Sequence, residues 1–243
     1  HGRKTISLDE LRHEYFRFID EGFVKSIFPV TRFNPKTGYF DIYLDVQKAN
    51  NFGAQFGGNF SLGNTSIGFL ELQYKYLWTK ALRFFTNGYF GKVYSSAKVG
   101  ARIDFNSKTP WFIEADYTYN HFNYFMNASF FFDDKTPNYI IEGEYFGDLI
   151  TGMPFSNTGK LSLGMTYAFT NMKYYQDNVF TRTDTTDQTT FNFFAPTFCF
   201  DLNSLNRKQF SNAGVRLMLK FSYINGREKM VPGSTAISKT PIT

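Results

Sequence analysis

Glu114 and Asp116 sit two apart in the run WFIEADYTYNH, a spacing that puts both carboxylates on one face of a strand. Paired carboxylates are what glycoside hydrolysis uses as acid and nucleophile or base. Lys98 and Arg102 follow the same alternation in the preceding segment. A ladder of opposite charges therefore accounts for the four better than catalytic acids do. Asp133-Asp134 and Asp177, Asp184 and Asp187 could offer oxygens to calcium. No Asp-x-Asp-x-Asp-Gly loop frames them, so solvated acidic loops are expected. His1, His13 and His121 fall at a terminus, a helix face and a strand end, without the His-x₃-His spacing of a metal pair. Nucleophilic hydrolysis would need an activated Ser or Cys, such as the Ser of a Gly-x-Ser-x-Gly elbow. Ser61 has Asn59 two before it, and Ser66 has Asn64. Cys199 is the single cysteine, which excludes an internal disulfide framework, and it reads as a small apolar wall residue. No catalytic, cofactor-binding or metal residue is expected, and no cofactor.

The elements that would position these groups are long alternating strands. From Tyr94 to Phe105 the apolar Ala97, Val99, Ala101, Ile103 and Phe105 alternate with Ser96, Lys98, Gly100, Arg102 and Asp104. After the turn residues 106–110, Trp111, Ile113, Ala115, Tyr117 and Tyr119 alternate with Glu114, Asp116, Thr118 and Asn120. Side chains of a strand point to opposite faces in turn, so this is a hairpin with one apolar and one charged face. Each arm approaches the ~9–11 residues that a tilted strand needs to cross a bilayer. With the apolar face on lipid, Glu114, Asp116 and Thr118 face the interior, and Ile113 is expected near mid-membrane. A turn centred on Lys108 sets Arg102 across from Glu114 and Lys98 across from Thr118. Slipping by one residue would turn Glu114 and Asp116 toward lipid.

Composition agrees with a barrel. Aromatics reach 20% of the 243 residues, yet the mean hydropathy is −0.33. No apolar run approaches the ~18 residues of a membrane helix, and a closed β-barrel is the other structure that spans lipid with its backbone satisfied. A soluble β-sandwich is the competing class. Net charge is +5 and the pI about 9.1. The cations are scattered through strands rather than clustered, which argues against nucleic acid and fits anionic headgroups. The first fifteen residues hold no apolar signal core, so an exported protein is expected to begin upstream of His1.

Residues 1–48 read differently. Ser7 and Glu10 fit a capping box, Leu8, Leu11, Tyr15, Phe18 and Ile19 recur at helical spacing, and Gly22 suits a helix stop. A strand from Phe23 to Phe33 follows, with Pro29 marking an edge or bulge. After the turn at 34–38 comes a strand from Tyr39 to Gln47 with Phe40, Ile42, Leu44 and Val46 inward. Beyond Ala49, barrel strands are expected at 54–62, 66–78, 82–90, the hairpin, 140–149, 160–169, 191–202 and 212–223. Phe146 fits neither face of its strand cleanly, residues 177–190 read as a polar loop, and Pro196 suggests a bulge. Trp78, Trp111, Tyr119 and Tyr223 are expected as interface girdles rather than ligand platforms. Roughly nine or ten strands result, and no closing strand precedes Thr243, so a portion of a larger barrel is expected.

Gly57-Gly58-Asn59-Phe60-Ser61, GFLELQYKYLW, GYFGKVYSSAKVGARIDF and LNSLNRKQFSNAGVRLMLKFSYINGRE, preceded by a small α/β unit, resemble the C-terminal part of outer-membrane patatin-like phospholipases. The resemblance implies an all-β, antiparallel transmembrane barrel of the BamA type, with 49–243 an incomplete portion, the first half or more, of its sixteen strands, behind a partial POTRA module at 1–48. It implies a Gram-negative outer-membrane location with the POTRA in the periplasm, and a barrel that anchors a periplasmic or surface module. A hydrolase domain would lie upstream. A BamA-type assembly or translocation factor and a passive pore are the alternatives. Expected partners are outer-membrane lipid and lipopolysaccharide, with a homodimer or accessory outer-membrane proteins as further candidates, and no nucleic acid.

Overall fold

The computed structural model describes residues 24–61, 66–77, 80–105, 107, 109–124, 139–156, 158–177, 179–181, 183–205 and 211–237. The expected helix before Phe23, the acidic pair Asp133-Asp134, Trp78 and Lys108 lie outside them. A hairpin comes first: β1 (Val24–Asn34) pairs antiparallel with β2 (Tyr39–Lys48). Its turn is built by Asn34, whose carbonyl accepts from Gly38 N–H at 2.9 Å and whose side chain accepts from Lys36 N–H at 3.1 Å. Gly38 supplies the required positive φ of 72°. Pro29 keeps the regular register opposite Leu44, since an edge strand tolerates a missing N–H, and the irregularity falls at Val24–Ser26 instead. Phe40, Ile42, Leu44 and Val46 share one face with Ile27 and Phe33. Contrary to expectation they are exposed, and Ile27 alone is buried.

Ten strands form the second sheet. They are β3 (Phe52–Asn59), β4 (Ile67–Leu77), β5 (Ala81–Gly91), β6 (Tyr94–Phe105), β7 (Trp111–Asn123), β8 (Ile140–Pro154), β9 (Gly159–Tyr174), β10 (Asp187–Asn203), β11 (Arg216–Ser222) and β12 (Asn225–Val231). Each strand from β3 to β11 pairs antiparallel with its neighbour in sequence, a meander, and β12 pairs with β10. Among the described residues β3 at one side and β11 and β12 at the other have no further strand partner, so the sheet is open.

Register places the side chains. Arg102 lies opposite Glu114 and Lys98 opposite Thr118, as a turn centred on Lys108 requires. Following the pairs from β3 to β11 yields one polar and one apolar face, whereas β12 carries Asn225, Arg227 and Lys229 on the side that is apolar elsewhere. The apolar face is the exposed one: Phe56 is 89% exposed, Phe221 65% and Tyr167 61%. Asp187, at 0%, and Asp116, at 8%, are enclosed on the polar face. A soluble fold buries its apolar side. This sheet does the reverse.

Several boundaries move. β8, β9 and β10 run 15, 16 and 17 residues, longer than the strands expected there and than a bilayer crossing needs. β10 takes in Asp187–Thr190, which the composition assigns to a loop. Phe146 shares the polar face with Glu144 and Asp148, between Thr118 and Ala168, and these small neighbours leave room for its ring. Pro196 makes no bulge. The pairs Thr197–Ser222 and Phe194–Asn225 keep one register, so β11 and β12 are a single strand interrupted at Tyr223–Ile224. There Tyr223 N–H donates to the Pro196 carbonyl at 3.1 Å, and Pro196 has no N–H to return the bond. Tyr223 is thus mid-strand and 69% exposed, not at a strand end as its expected girdle role needs.

Candidate functional site

Charges collect on the polar face of β4 to β8. Lys75, Arg83, Arg102 and Glu114 lie directly opposite one another on β4, β5, β6 and β7. Three cations on one rung repel. Asp104, two residues from Arg102 on the same face, takes most of Arg102, with contacts of 2.7, 2.9 and 3.2 Å. Glu114 Oε2 is shared, 3.5 Å from Arg102 and 3.6 Å from Arg83. The Arg102 guanidinium also covers the buried Phe112 ring at 3.7 Å. One rung further, Lys98 pairs with Asp116 at 2.8 Å. Asp116 lies opposite Asp148, and that like-charge contact is relieved by Lys98 on one side and by the Thr166 hydroxyl, which donates to Asp148, on the other. Above these, Ser96 donates to Asn120 at 2.8 Å and Asn120 to Glu144 at 2.9 Å. The network crosses five strands, β5 to β9, and holds their register.

Glu114 and Asp116 do share a face with Lys98 and Arg102, as a charge ladder. His121 stands on the apolar face of β7, its ring 6.5 Å from that of Tyr119, away from the carboxylates. Cys199 falls on the polar face, opposite Ser162 and Lys220, and not in an apolar wall. Among the described residues no three His, Cys, Asp or Glu side chains group to hold a metal ion.

Asp184 and Asp187 are used in a clamp at the rim. Asp184 accepts from Thr181 N–H at 2.7 Å, Thr181 Oγ1 at 2.9 Å and Ser234 Oγ at 2.9 Å. The buried Asp187 accepts from Gly233 N–H at 2.7 Å. A Cβ at Gly233 would strike the Thr185 carbonyl, so this approach needs glycine. The Thr181 N–H first, then Ser234 and the Thr181 hydroxyl, hold the Asp184 carboxyl below the ordinary aspartate range. Tyr175 stacks on Phe180 at 4.3 Å; burial, then Tyr139 and Asp184, push its hydroxyl up. A depressed carboxylate pKa stabilises the folded form above the unfolded value, and that contribution is lost as pH falls through the folded value. Hydrogen-exchange protection of the Ser234 and Thr185 amides, corrected for intrinsic rates, should therefore hold at neutral pH. It should fall as acid titrates Asp184 below ~4, and Asp184→Asn should lack it at every pH. Equal protection in Asp184→Asn and the parent would remove the carboxylate from the clamp.

The apolar face is bounded by ring contacts at two levels. Phe105 stacks on Trp111 at 4.1 Å and Phe155 on Phe200 at 5.1 Å near one end. Tyr119, Tyr145 and Phe169 form a chain with contacts of 4.9 and 5.8 Å toward the other. Trp111 is at an end of its strand, whereas Tyr119 lies inside β7 because that strand continues to Asn123.

No protein-family model matches the chain, and no curated protein does. Among solved structures it is similar to the crystal structure of BamA from Haemophilus ducreyi lacking POTRA domains 1–3. The TM-score is 0.58 at 13% sequence identity, over 95% of this chain and 46% of that one. The chain thus spans about half the length of the structure it matches. The likeness shows the fold, an antiparallel sheet of the BamA-barrel type.

Proposed function

We propose that residues 49–243 are a portion of a bacterial outer-membrane β-barrel of the BamA type that anchors an adjoining module to the membrane. The observation that carries this is the inverted burial, with Phe and Tyr rings exposed on one face and Asp116 and Asp187 enclosed on the other. The ring contacts support it. Trp111 and His121, ten residues apart on β7, span ~34 Å of strand and ~26 Å of membrane depth at a ~40° tilt. That height matches an outer-membrane apolar band. The free edges of β3 and of β11 and β12 are where the remaining strands of a larger barrel, sixteen by resemblance, would join.

The hairpin β1–β2 is read as part of a periplasmic POTRA module. Its exposed apolar face supports a packing partner, and the 95% coverage against the BamA lacking POTRA domains 1–3 extends past the ten-stranded sheet. The motif resemblance favours a patatin-like phospholipase upstream. The likeness to BamA favours the second reading, a barrel of the assembly class.

Reconstitution in phosphatidylcholine vesicles with a fluorophosphonate probe tests the anchor reading. The chain should enter the membrane fraction and migrate differently before and after boiling, with no serine labelled. A chain that stays in solution would contradict the barrel. Stoichiometric labelling of a serine would contradict the separation of anchor from hydrolase.

A further inference from the structure

We infer that the outward ends of β9, β10 and β12 form a docking surface for the phosphate headgroup of an outer-leaflet lipid, with Lys173, Arg227 and Lys229 as its cations. The registers place these three side chains on the face that carries Tyr167 and Phe194. Among the described residues of β3 to β12 they are the only Lys, Arg, Asp or Glu side chains on that face. All three are exposed, and none takes part in an ion pair among the described residues. The carboxylates of these strands are confined to the polar face, where they pair with Arg83, Lys98, Arg102 and Arg216. A surface of one sign is left outside. Cations gathered at a membrane surface attract anionic headgroups. Arg forks match phosphate oxygens bidentately, and Lys adds a point charge beside them.

Position supports a lipid as the occupant. Along the outward face β9 turns polar after Phe169, β10 after Phe194 and the interrupted strand β11–β12 after Tyr223. The first polar residue is each time an asparagine: Asn171, Asn192 and Asn225. Asn192 lies opposite Phe169 and Asn225 opposite Phe194, so the boundary steps down once per strand. That slope is what tilted strands give to a level surface. Lys173 and Arg227 each take the second outward position beyond the boundary, and Lys229 the third. Lys173 and Lys229 are ~10 Å apart across the sheet and ~7 Å along it, within reach of one headgroup for two long, flexible stems. Gln188 Nε2 donates to Asn171 Oδ1 at 3.1 Å, which leaves the Asn171 amide N–H groups to donate to a phosphate oxygen. Acyl chains below such a phosphate rest on Phe169, Phe194 and Tyr223. A free anion or an acidic peptide has no use for that apolar floor. The connections at this end are the long ones, 124–139 and 175–186, against 106–110 and 155–158 at the other. Outer-membrane barrels carry their longer loops outside, which assigns the outer leaflet. A further strand joining the free edge of β11 and β12 would pair in the plane of the sheet and leave this face open. The depth and the leaflet rest on the membrane reading above, whereas the segregation of charge does not.

The test uses the full chain refolded in maltoside micelles, which carry no phosphate. Native mass spectrometry scores retention of dioleoylphosphatidic acid against dioleoylglycerol, which lacks the phosphate. Saturable retention of the phosphatidic acid, at least tenfold above the diacylglycerol, is expected. Lys229→Gln should weaken it severalfold, and Arg227→Gln with Lys229→Gln at least tenfold. Arg227→Lys with Lys229→Arg should keep most of it. Lys220→Gln removes the same charge from the polar face of the same strand and should leave it unchanged. If the double Gln variant does not fold, Lys173→Gln with Lys229→Gln takes its place with the same expectation. Equal retention of the two lipids by the parent overturns the inference. So does equal weakening by Lys220→Gln and Lys229→Gln. Displacement of the lipid by millimolar phosphate or by polyglutamate would mark an anion surface without lipid preference and overturn the headgroup assignment. Membrane insertion is scored separately. A chain that stays out of phosphatidylcholine vesicles fails the barrel reading, whereas one that enters them without preferring phosphatidic acid in micelles fails this inference alone.

Discussion

Ala115→Arg should destabilise the membrane-inserted protein by about 2–4 kcal/mol, the cost of a cation on the lipid face at mid-bilayer. Ala115 is exposed on the apolar face of β7, opposite Ala101 and Leu149. It lies close to halfway between Trp111 and His121, so its side chain has no nearby interface to reach. Ile113 was expected at mid-membrane. It is two residues from Trp111, ~5 Å in depth, and an arginine there can snorkel to the headgroups. Ile113→Arg should therefore cost less than Ala115→Arg, and Thr118→Arg, on the polar face, less again. Denaturant unfolding in vesicles measures all three. Equal costs at Ala115 and Thr118 would remove the assignment of faces.

Gly100→Leu should cost about 3 kcal/mol, at the upper end for overpacking a tight site. Gly100 is buried on the polar face, where a Cβ would strike the Phe85 ring and approach the Asp116 Cβ at 2.8 Å. The Phe85 ring lies across the glycine of the neighbouring strand, a packing device known from designed sheets. Leucine must displace that ring and push Asp116 from Lys98, so packing and the 2.8 Å ion pair fail together. Gly57→Ala, where a Cβ meets nothing within 4 Å, should change stability little. Phe85→Ala in the Gly100→Leu background should recover part of the loss. Unfolding midpoints of the three variants and the parent give the comparison, and a neutral Gly100→Leu would contradict the packing.

The hairpin β6–β7 was legible because its two faces differ at almost every step and its turn leaves one register that opposes unlike charges. β10 was not legible. Its inward Phe191, Phe193 and Ala195 are as apolar as its outward Phe194, Pro196 and Phe198, so no alternation survives. Only the bonds to β9 assign its faces. The strand at Asp187–Thr190 was hidden for another reason: Thr and Asp read as loop residues, and what encloses Asp187 is Gly233, 46 residues away. The cationic rung was equally invisible, since Lys75, Arg83 and Arg102 come together only once the registers of two hairpins are known. Arg102 shows the same limit in its pairing. Its expected partner across the hairpin, Glu114, is the weaker one, and Asp104 on its own strand makes the short contacts.

The account rests on the apolar face of this sheet meeting lipid. A nitroxide scan of β7 from Ile113 to Thr118 in vesicles tests it most directly, by comparing collisions with oxygen, which partitions into the bilayer, and with a water-soluble nickel chelate. The account predicts a period of two, with oxygen contact high at positions 113, 115 and 117 and low at 114, 116 and 118. It predicts that the oxygen-to-nickel ratio is highest near 115 and 117. A scan with no alternation, or with water contact at 113, 115 and 117, would contradict it.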